Sequence, residues 1–478
     1  ELEGEDKIDK ETRFDLLENE VTLAVAEGNE KGIKDFKDLE KDEVEKIIKK
    51  ASLAEGITPE EAAILLNIED KELLDKMFKV AKQVKEKIYG KRIVMFAPLY
   101  VSNYCVNNCV YCGYQHCNED LNRKKLTREE LVNEVKALEK LGHKRIVLEA
   151  GEDPINCSLD YILQCIKDIY SIKFENGNIR RININIAATT VENYKKLKEA
   201  EIGTYTLFQE SFHKPTYEKL HLAGPKKDYY YHTTAMFRAR EAGIDDVGIG
   251  VLYGLYEHKY ETVAMILYAN ELERVTGVGP HTISVPRLRE ASNVTLAQYP
   301  YLVNDEEFKR LVAVLRLAVP YTGMILSTRE EAGFRDKVIE LGISQVSTGS
   351  CTGVGGYSEA NENTAQFEVG DHRSPMEMLA SLINSGYIPS YCTACYRSGR
   401  TGDRFMEIAK SGKINVMCEA NALMTLKEFL LDYADENLRE LGSKAILEAL
   451  EKMPDENFKN KIKGFLKDIE NGARDISV

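Results

Sequence analysis

Residues 93–115 read IVMFAPLYVSNYCVNNCVYCGYQ, an apolar run that ends in three cysteines, Cys105, Cys109 and Cys112. The run at 93–99 reads as a strand, and short apolar or alternating runs recur at 145–149, 181–187, 204–210, 246–252, 281–288, 324–329 and 345–349. Helical stretches separate them, which is the signature of repeated βα units. Eight strands are the number that closes a parallel barrel. The expected fold is α/β: a (β/α)8 TIM-type barrel over residues 92–370, N-terminal helices over 1–91, and a C-terminal mainly helical cluster-binding domain over 371–478. Such barrels carry their catalytic loops at the C-terminal ends of the strands. The cysteine triplet falls just beyond the first one.

Local signals agree with this division. Thr58-Pro59-Glu60-Glu61 is a capping box with proline at the first helical position, ahead of the apolar run from Ala62 to Leu66. Thr127 and Glu130 form a second box, Leu131, Val135 and Leu138 mark one helical face, and Gly142 supplies the stop before the second strand. Near the other end, residues 421–453 carry apolar residues at helical spacing, which predicts a docked amphipathic helix.

A net charge of −14 without a basic stripe leaves no electrostatic footprint for nucleic acid. No segment approaches the roughly 20 uncharged apolar residues of a membrane span, and the opening residues ELEGEDKIDKETRFD lack the apolar core of a signal peptide. The expectation is a cytoplasmic protein that meets small molecules and other proteins, with no membrane partner. Its ten cysteines then point to metal ligation or buried thiols rather than disulfides.

In the C-x3-C-x2-C triplet, three thiolates can hold three corners of a four-iron cluster and leave the fourth iron open for a ligand to chelate. A zinc tetrahedron would instead need a fourth ligand such as His116 or Cys117. Cys392, Cys395 and Cys418 form a second triplet, C-x2-C-x22-C, with zinc and an unseen fourth ligand as its alternative.

The first triplet resembles the signature of the radical S-adenosylmethionine (SAM) superfamily. That resemblance implies that the open iron chelates the methionine moiety of SAM, and that one electron releases a 5'-deoxyadenosyl radical. Glu149-Ala150-Gly151-Glu152-Asp153-Pro154 resembles the family's Gly-Gly-Glu element, with Ala150 in place of its first glycine. Gly151 and Glu152 are thus expected at the SAM amine. Glu210 resembles the ribose-binding carboxylate, a solvated strand-end acid being the plainer reading. Residues 250–257 resemble the adenine-supporting G-x-I-x-G-x-x-E element, which brings in Gly250, Leu252 and Tyr253, and Tyr111 joins this cofactor set. Arg238 is a candidate for the SAM carboxylate, or an ordinary surface arginine.

Taken with the second triplet, nearly the whole chain is similar to the radical SAM tyrosine lyases that mature FeFe-hydrogenase, the HydG family. The resemblance implies cleavage of L-tyrosine at Cα–Cβ to p-cresol and dehydroglycine, and conversion of the latter to carbon monoxide and cyanide on iron. It implies a four-iron cluster with SAM at Cys105, Cys109 and Cys112, and an auxiliary iron-sulfur cluster at Cys392, Cys395 and Cys418 with an additional iron near His281. A reductant protein and the other hydrogenase maturation proteins are the implied partners. Arg329 is expected to take the tyrosine carboxylate through its fork, with Arg287 and Arg289 as competitors. Ser347, Ser327, Thr328 and Thr348 offer hydroxyls. Two other readings are a thiazole-biosynthesis type of tyrosine lyase, opposed by the second triplet, and a cluster carrier, opposed by the SAM-shaped elements.

Overall fold

The computed structural model describes residues 41–359, 363–412 and 414–478. The charged opening stretch, and most of the expected N-terminal segment, lie outside the described residues.

All eight expected strands form. They are β1 (Arg92–Ser102), β2 (Arg145–Ala150), β3 (Arg181–Asn185), β4 (Tyr205–Thr206), β5 (Val247–Gly250), β6 (Thr282–Ser284), β7 (Gly323–Leu326) and β8 (Gln345–Ser347). Each pairs in parallel with the next, and β1 joins both β2 and β8, so the barrel closes. Several strands are shorter than their apolar runs. The run at 204–210 keeps only two residues in β4, yet Leu207 N and Gln209 N still donate to Gly248 O and Gly250 O of β5 at 3.0 and 2.8 Å. Beyond them Glu210 turns into a left-handed conformation, φ +69°, which ends the extended run.

Both capping boxes are present: Thr58 with Glu61 starts the helix Pro59–Leu66, and Thr127 with Glu130 starts Arg128–Lys140. The helices Lys41–Ala51, Pro59–Leu66 and Lys71–Tyr89 precede β1. The last two pack against the barrel helix Asp305–Ala318. Among the described residues no helix is long and apolar enough to cross a membrane.

The C-terminal part departs from expectation in two ways. Residues 421–453 form two helices rather than one, Ile414–Asp432 and Glu436–Glu451, because Asp435 caps the second and breaks the run. The first is buried on most of its circumference, so it behaves as a core helix. The second departure is a ninth strand, β9 (Ile388–Ser390), which pairs in parallel with Arg92–Val94 of β1. Three residues with a central proline carry no readable period, and Pro389 is tolerated because β9 is an edge strand.

Three features fasten this part to the barrel's lower rim, the N-terminal ends of its strands. β9 extends the sheet there and leads directly to Cys392. Gly142, at φ +89°, leaves room for the Phe429 ring where a Cβ would stand. Arg180, just ahead of β3, forms a buried ion pair with Glu428 on Ile414–Asp432, and its Nη1 lies 3.2 Å from Asp475.

Candidate functional site

A cavity of about 230 Å³ opens at the C-terminal ends of the strands. Its wall includes all three thiols of the first triplet. The cysteine loop is held by three backbone bonds to two segments: Val106 N donates to Glu152 O at 2.7 Å, Asn108 N to Ala223 O at 3.0 Å and Val110 N to Leu220 O at 3.0 Å. Arg123 adds a clamp from inside the loop, donating to Asn103 O, Tyr114 O and Gln115 O at 2.7, 2.9 and 2.6 Å. Burial pushes Cys112 up to about 11 and Cys109 still higher. A desolvated thiolate is stable only beside positive charge, so these thiols suit a cationic metal centre.

Around the cysteines stand Tyr111, Gly151, Glu152, Glu210 and Leu252, all lining the cavity. Tyr111 Oη and His221 Nε2 lie 2.8 Å apart. Glu152 accepts from Asn107 Nδ2 at 2.5 Å, and Gly151 packs so closely on Tyr104 O and Cys105 that no side chain fits. Glu210 is ion-paired with Lys226 at 2.7 Å. Although burial opposes its charge, Lys226 is held well above the usual lysine range by Glu210.

Arg329 and Ser347 also line this cavity. The Arg329 guanidinium lies 3.3 Å from the Phe367 ring centroid. Among the described residues it makes no hydrogen bond or ion pair.

Five expected residues stand elsewhere. Arg287 does not reach the cavity: its guanidinium is bound to Glu330 and, at 2.9 Å, to Asp305. Arg289 shares Glu330 at 2.9 Å. Arg238 is turned to Tyr231 O, Thr234 Oγ1 and Thr189 O at 2.7, 2.7 and 3.0 Å. Tyr253 is buried behind the wall, its hydroxyl 3.1 Å from Thr262 Oγ1. Gly250 is also behind the wall; a Cβ there would meet the Phe208 ring at 2.8 Å, so its smallness seats Phe208, which does line the cavity. The three arginine corrections share a cause: a strand-end position fixes depth along the barrel, whereas the partners of a long side chain are tertiary.

A second cavity, about 40 Å³, lies at the lower rim and is lined by Cys392, Cys395, His281, Asp246, Arg92 and Arg145 among others. Cys418 stands beside it and accepts a thiol hydrogen bond from Cys395, which, with Arg92, lowers Cys418 to about 7. His281 Nδ1 lies 3.4 Å from Asp246 Oδ1 but has no hydrogen bond, and Asp246 Oδ2 is likewise unpartnered. Burial lowers His281 despite Asp246, which favours the neutral imidazole that metals bind. Gln345, at the start of β8, lines both cavities.

The chain matches the Radical SAM superfamily over residues 99–268 and the biotin and thiamin synthesis associated domain over 284–388. A crystal structure of HydG, a maturase of FeFe-hydrogenase, is 63% identical with a TM-score of 0.91, covering 93% of this chain and 97% of that one. The chain belongs to the HydG family of FeFe-hydrogenase maturases. HydG from Carboxydothermus hydrogenoformans is 42% identical with a TM-score of 0.78, over 89% of this chain and 94% of its own. The 2-iminoacetate synthase of Escherichia coli strain K12 is 27% identical over 72% of this chain and 89% of its own length.

The residues fit the clusters that the HydG family implies. Among the described residues no three His, Cys, Asp or Glu side chains group to hold a single metal ion. The zinc alternative also fails locally at the first triplet, because Cys117 and His116 are both exposed, Cys117 donating to Asn108 Oδ1 at 2.9 Å. The first three thiols line the upper cavity, and of the second three Cys392 and Cys395 line the lower one with Cys418 beside it.

Sequence reasoning does not single out Glu149, Lys226, Arg123 or the rim arginines Arg92 and Arg145. Only Arg92 and Arg145 leave a trace: each opens its strand, a charged residue where an apolar run begins.

Proposed function

We propose that this HydG-family protein cleaves L-tyrosine between Cα and Cβ, giving p-cresol and dehydroglycine. The fragment is converted to carbon monoxide and cyanide, which iron collects to form the precursor for the FeFe-hydrogenase active site. One observation carries the reading: two three-cysteine sets occupy opposite ends of a single barrel, the lower one accompanied by His281, whose Nδ1 has no hydrogen bond among the described residues.

Cys105, Cys109 and Cys112 would hold a four-iron cluster with SAM, and Cys392, Cys395 and Cys418 an auxiliary cluster, with His281 taking an additional iron. When reduced, the first supplies a 5'-deoxyadenosyl radical. The chain's own residues do the rest. Glu152 and Gly151 border the space for the SAM amine, Glu210 and Lys226 the space for its polar groups, and Leu252 supplies an apolar wall. Arg329, whose guanidinium has only the Phe367 ring beside it among the described residues, takes the substrate carboxylate bidentately, and the Ser347 hydroxyl stands in the same wall. A reductant protein supplies electrons, and other hydrogenase maturation proteins receive the product.

The thiazole type of tyrosine lyase stays the second reading, because the 2-iminoacetate synthase relatives match most of this chain. Anaerobic turnover of the iron- and sulfide-reconstituted protein with SAM, reductant and carbon-labelled tyrosine separates the two. p-Cresol with cyanide and carbon monoxide supports the maturase, p-cresol alone supports the second reading, and no p-cresol overturns both.

A further inference from the structure

The upper cavity holds two opposite charges that are not spent on each other. Glu149, at the end of β2, and Arg329, beyond β7, both line it. Their charges act on each other, yet no hydrogen bond or ion pair joins them. Among the described residues Glu149 has one side-chain hydrogen bond, from Asn185 Nδ2 at 3.2 Å, and Arg329 has only the Phe367 ring. Of the other charged groups lining the cavity, Glu210 is ion-paired with Lys226, and Glu152 accepts from Asn107 Nδ2 on the cysteine loop. Buried charges without partners are costly. A separated pair of opposite sign in a cavity suits a ligand that carries both charges, and an α-amino acid is one.

We infer that Glu149 receives the α-ammonium of the substrate amino acid and takes one of its protons, while Arg329 holds the carboxylate. This rests on the tyrosine reading above. In the step, an N–H bond of the ammonium breaks and its electron pair stays on nitrogen. An O–H bond forms on Glu149, and the carboxylate becomes a neutral acid. No electron moves, so no oxidant or reductant is needed.

The surroundings agree. Burial raises Glu149 to about 7, with Arg329 and Asn185 opposing and Glu210 adding to the rise. Three phenols sense its charge: Tyr100, paired with it across β1, Tyr114 on the cysteine loop, and Tyr357 beyond β8. Burial keeps all three un-ionised. Among the described residues the charged groups that act on Glu149 are Arg329 and Glu210. A base near neutrality is well matched to a proton leaving an amine. Ionisation of Glu149 as pH rises should make kcat/KM climb through about pH 7.

The test uses the reconstituted holoprotein with SAM. It compares binding of tyrosine with binding of 3-(4-hydroxyphenyl)propanoate, which lacks the amine, in wild type, Glu149→Gln and Glu149→Asp. The pH profile of p-cresol formation is recorded alongside. Glu149→Gln should weaken tyrosine by about 10- to 100-fold, the range of a charge-assisted hydrogen bond. The desamino compound should change by less than about threefold, because it makes no such bond, and the acid limb of the profile should vanish. Glu149→Asp, which keeps the charge, should restore part of the preference for tyrosine and keep an acid limb. Equal weakening of both ligands, or an unchanged preference with the limb intact, would overturn the inference while wild-type p-cresol formation left the tyrosine reading standing. Wild-type protein that makes no p-cresol would remove both.

Discussion

The two ends of the barrel hold the same number of thiols but are built in opposite ways. The upper site is assembled from the barrel's own strand-end loops, pinned by backbone bonds, around a cavity of about 230 Å³. The lower site, at about 40 Å³, exists only where a separate stretch of chain is added, through β9, Phe429 on Gly142, and Arg180 with Glu428. A site made from loops of one barrel inherits the barrel's rigidity. One made by docking depends on each contact across the seam.

That contrast is open to direct attack. The largest expected effect is at the top: Cys109→Ala should reduce SAM cleavage and p-cresol formation by more than about 1,000-fold, a loss of roughly 4 kcal/mol or more, and iron analysis should show one cluster missing. Next, Arg180→Ala strands Glu428 in the seam and should cost about 3–5 kcal/mol in chemical denaturation, as broken buried pairs do. If the seam is local, p-cresol formation at low temperature should change by less than about twofold. Cys418→Ala should sharpen the contrast further, lowering carbon monoxide and iron-carbonyl formation by about 100-fold, roughly 2.7 kcal/mol, with p-cresol retained. Equal loss of both products would erase the distinction between the two ends. Smallest is Gly142→Ala, whose Cβ meets the Phe429 ring and whose φ of +89° disfavours alanine. A destabilisation of about 1–3 kcal/mol, read as a lowered Tm with p-cresol formation intact, is expected.

Much of the upper site was legible because its signals are local. Cysteine spacing is local, and the glycine at 151 and the carboxylates at 152 and 210 were reached through short motifs that resemble those of the family; each lines the cavity. Arg287 and Arg238 misled for the converse reason. Both sit close in sequence to a strand end, but Glu330 captures one and three oxygens near Tyr231 capture the other. Arg329, expected from its place at the end of a strand, lines the cavity, whereas Glu149 stands out by having no ion pair among the described residues, and no sequence pattern records a missing partner. β9 escaped because its pairing is with β1, almost 300 residues earlier, and its three residues carry no period.

By itself the sequence determined the parallel barrel, the start of its helices, and the two cysteine sets. Periodicity, capping and spacing are properties of neighbouring residues and survive without knowledge of the rest of the chain. Only the tertiary structure decided which charges are free and which are neutralised, that Gly142 serves as a seat as well as a stop, and that the second triplet lies beneath the first strand. Those outcomes depend on which distant groups meet in space. Burial makes the choice consequential, because a charge removed from water must find a partner in the fold or wait for one in the ligand.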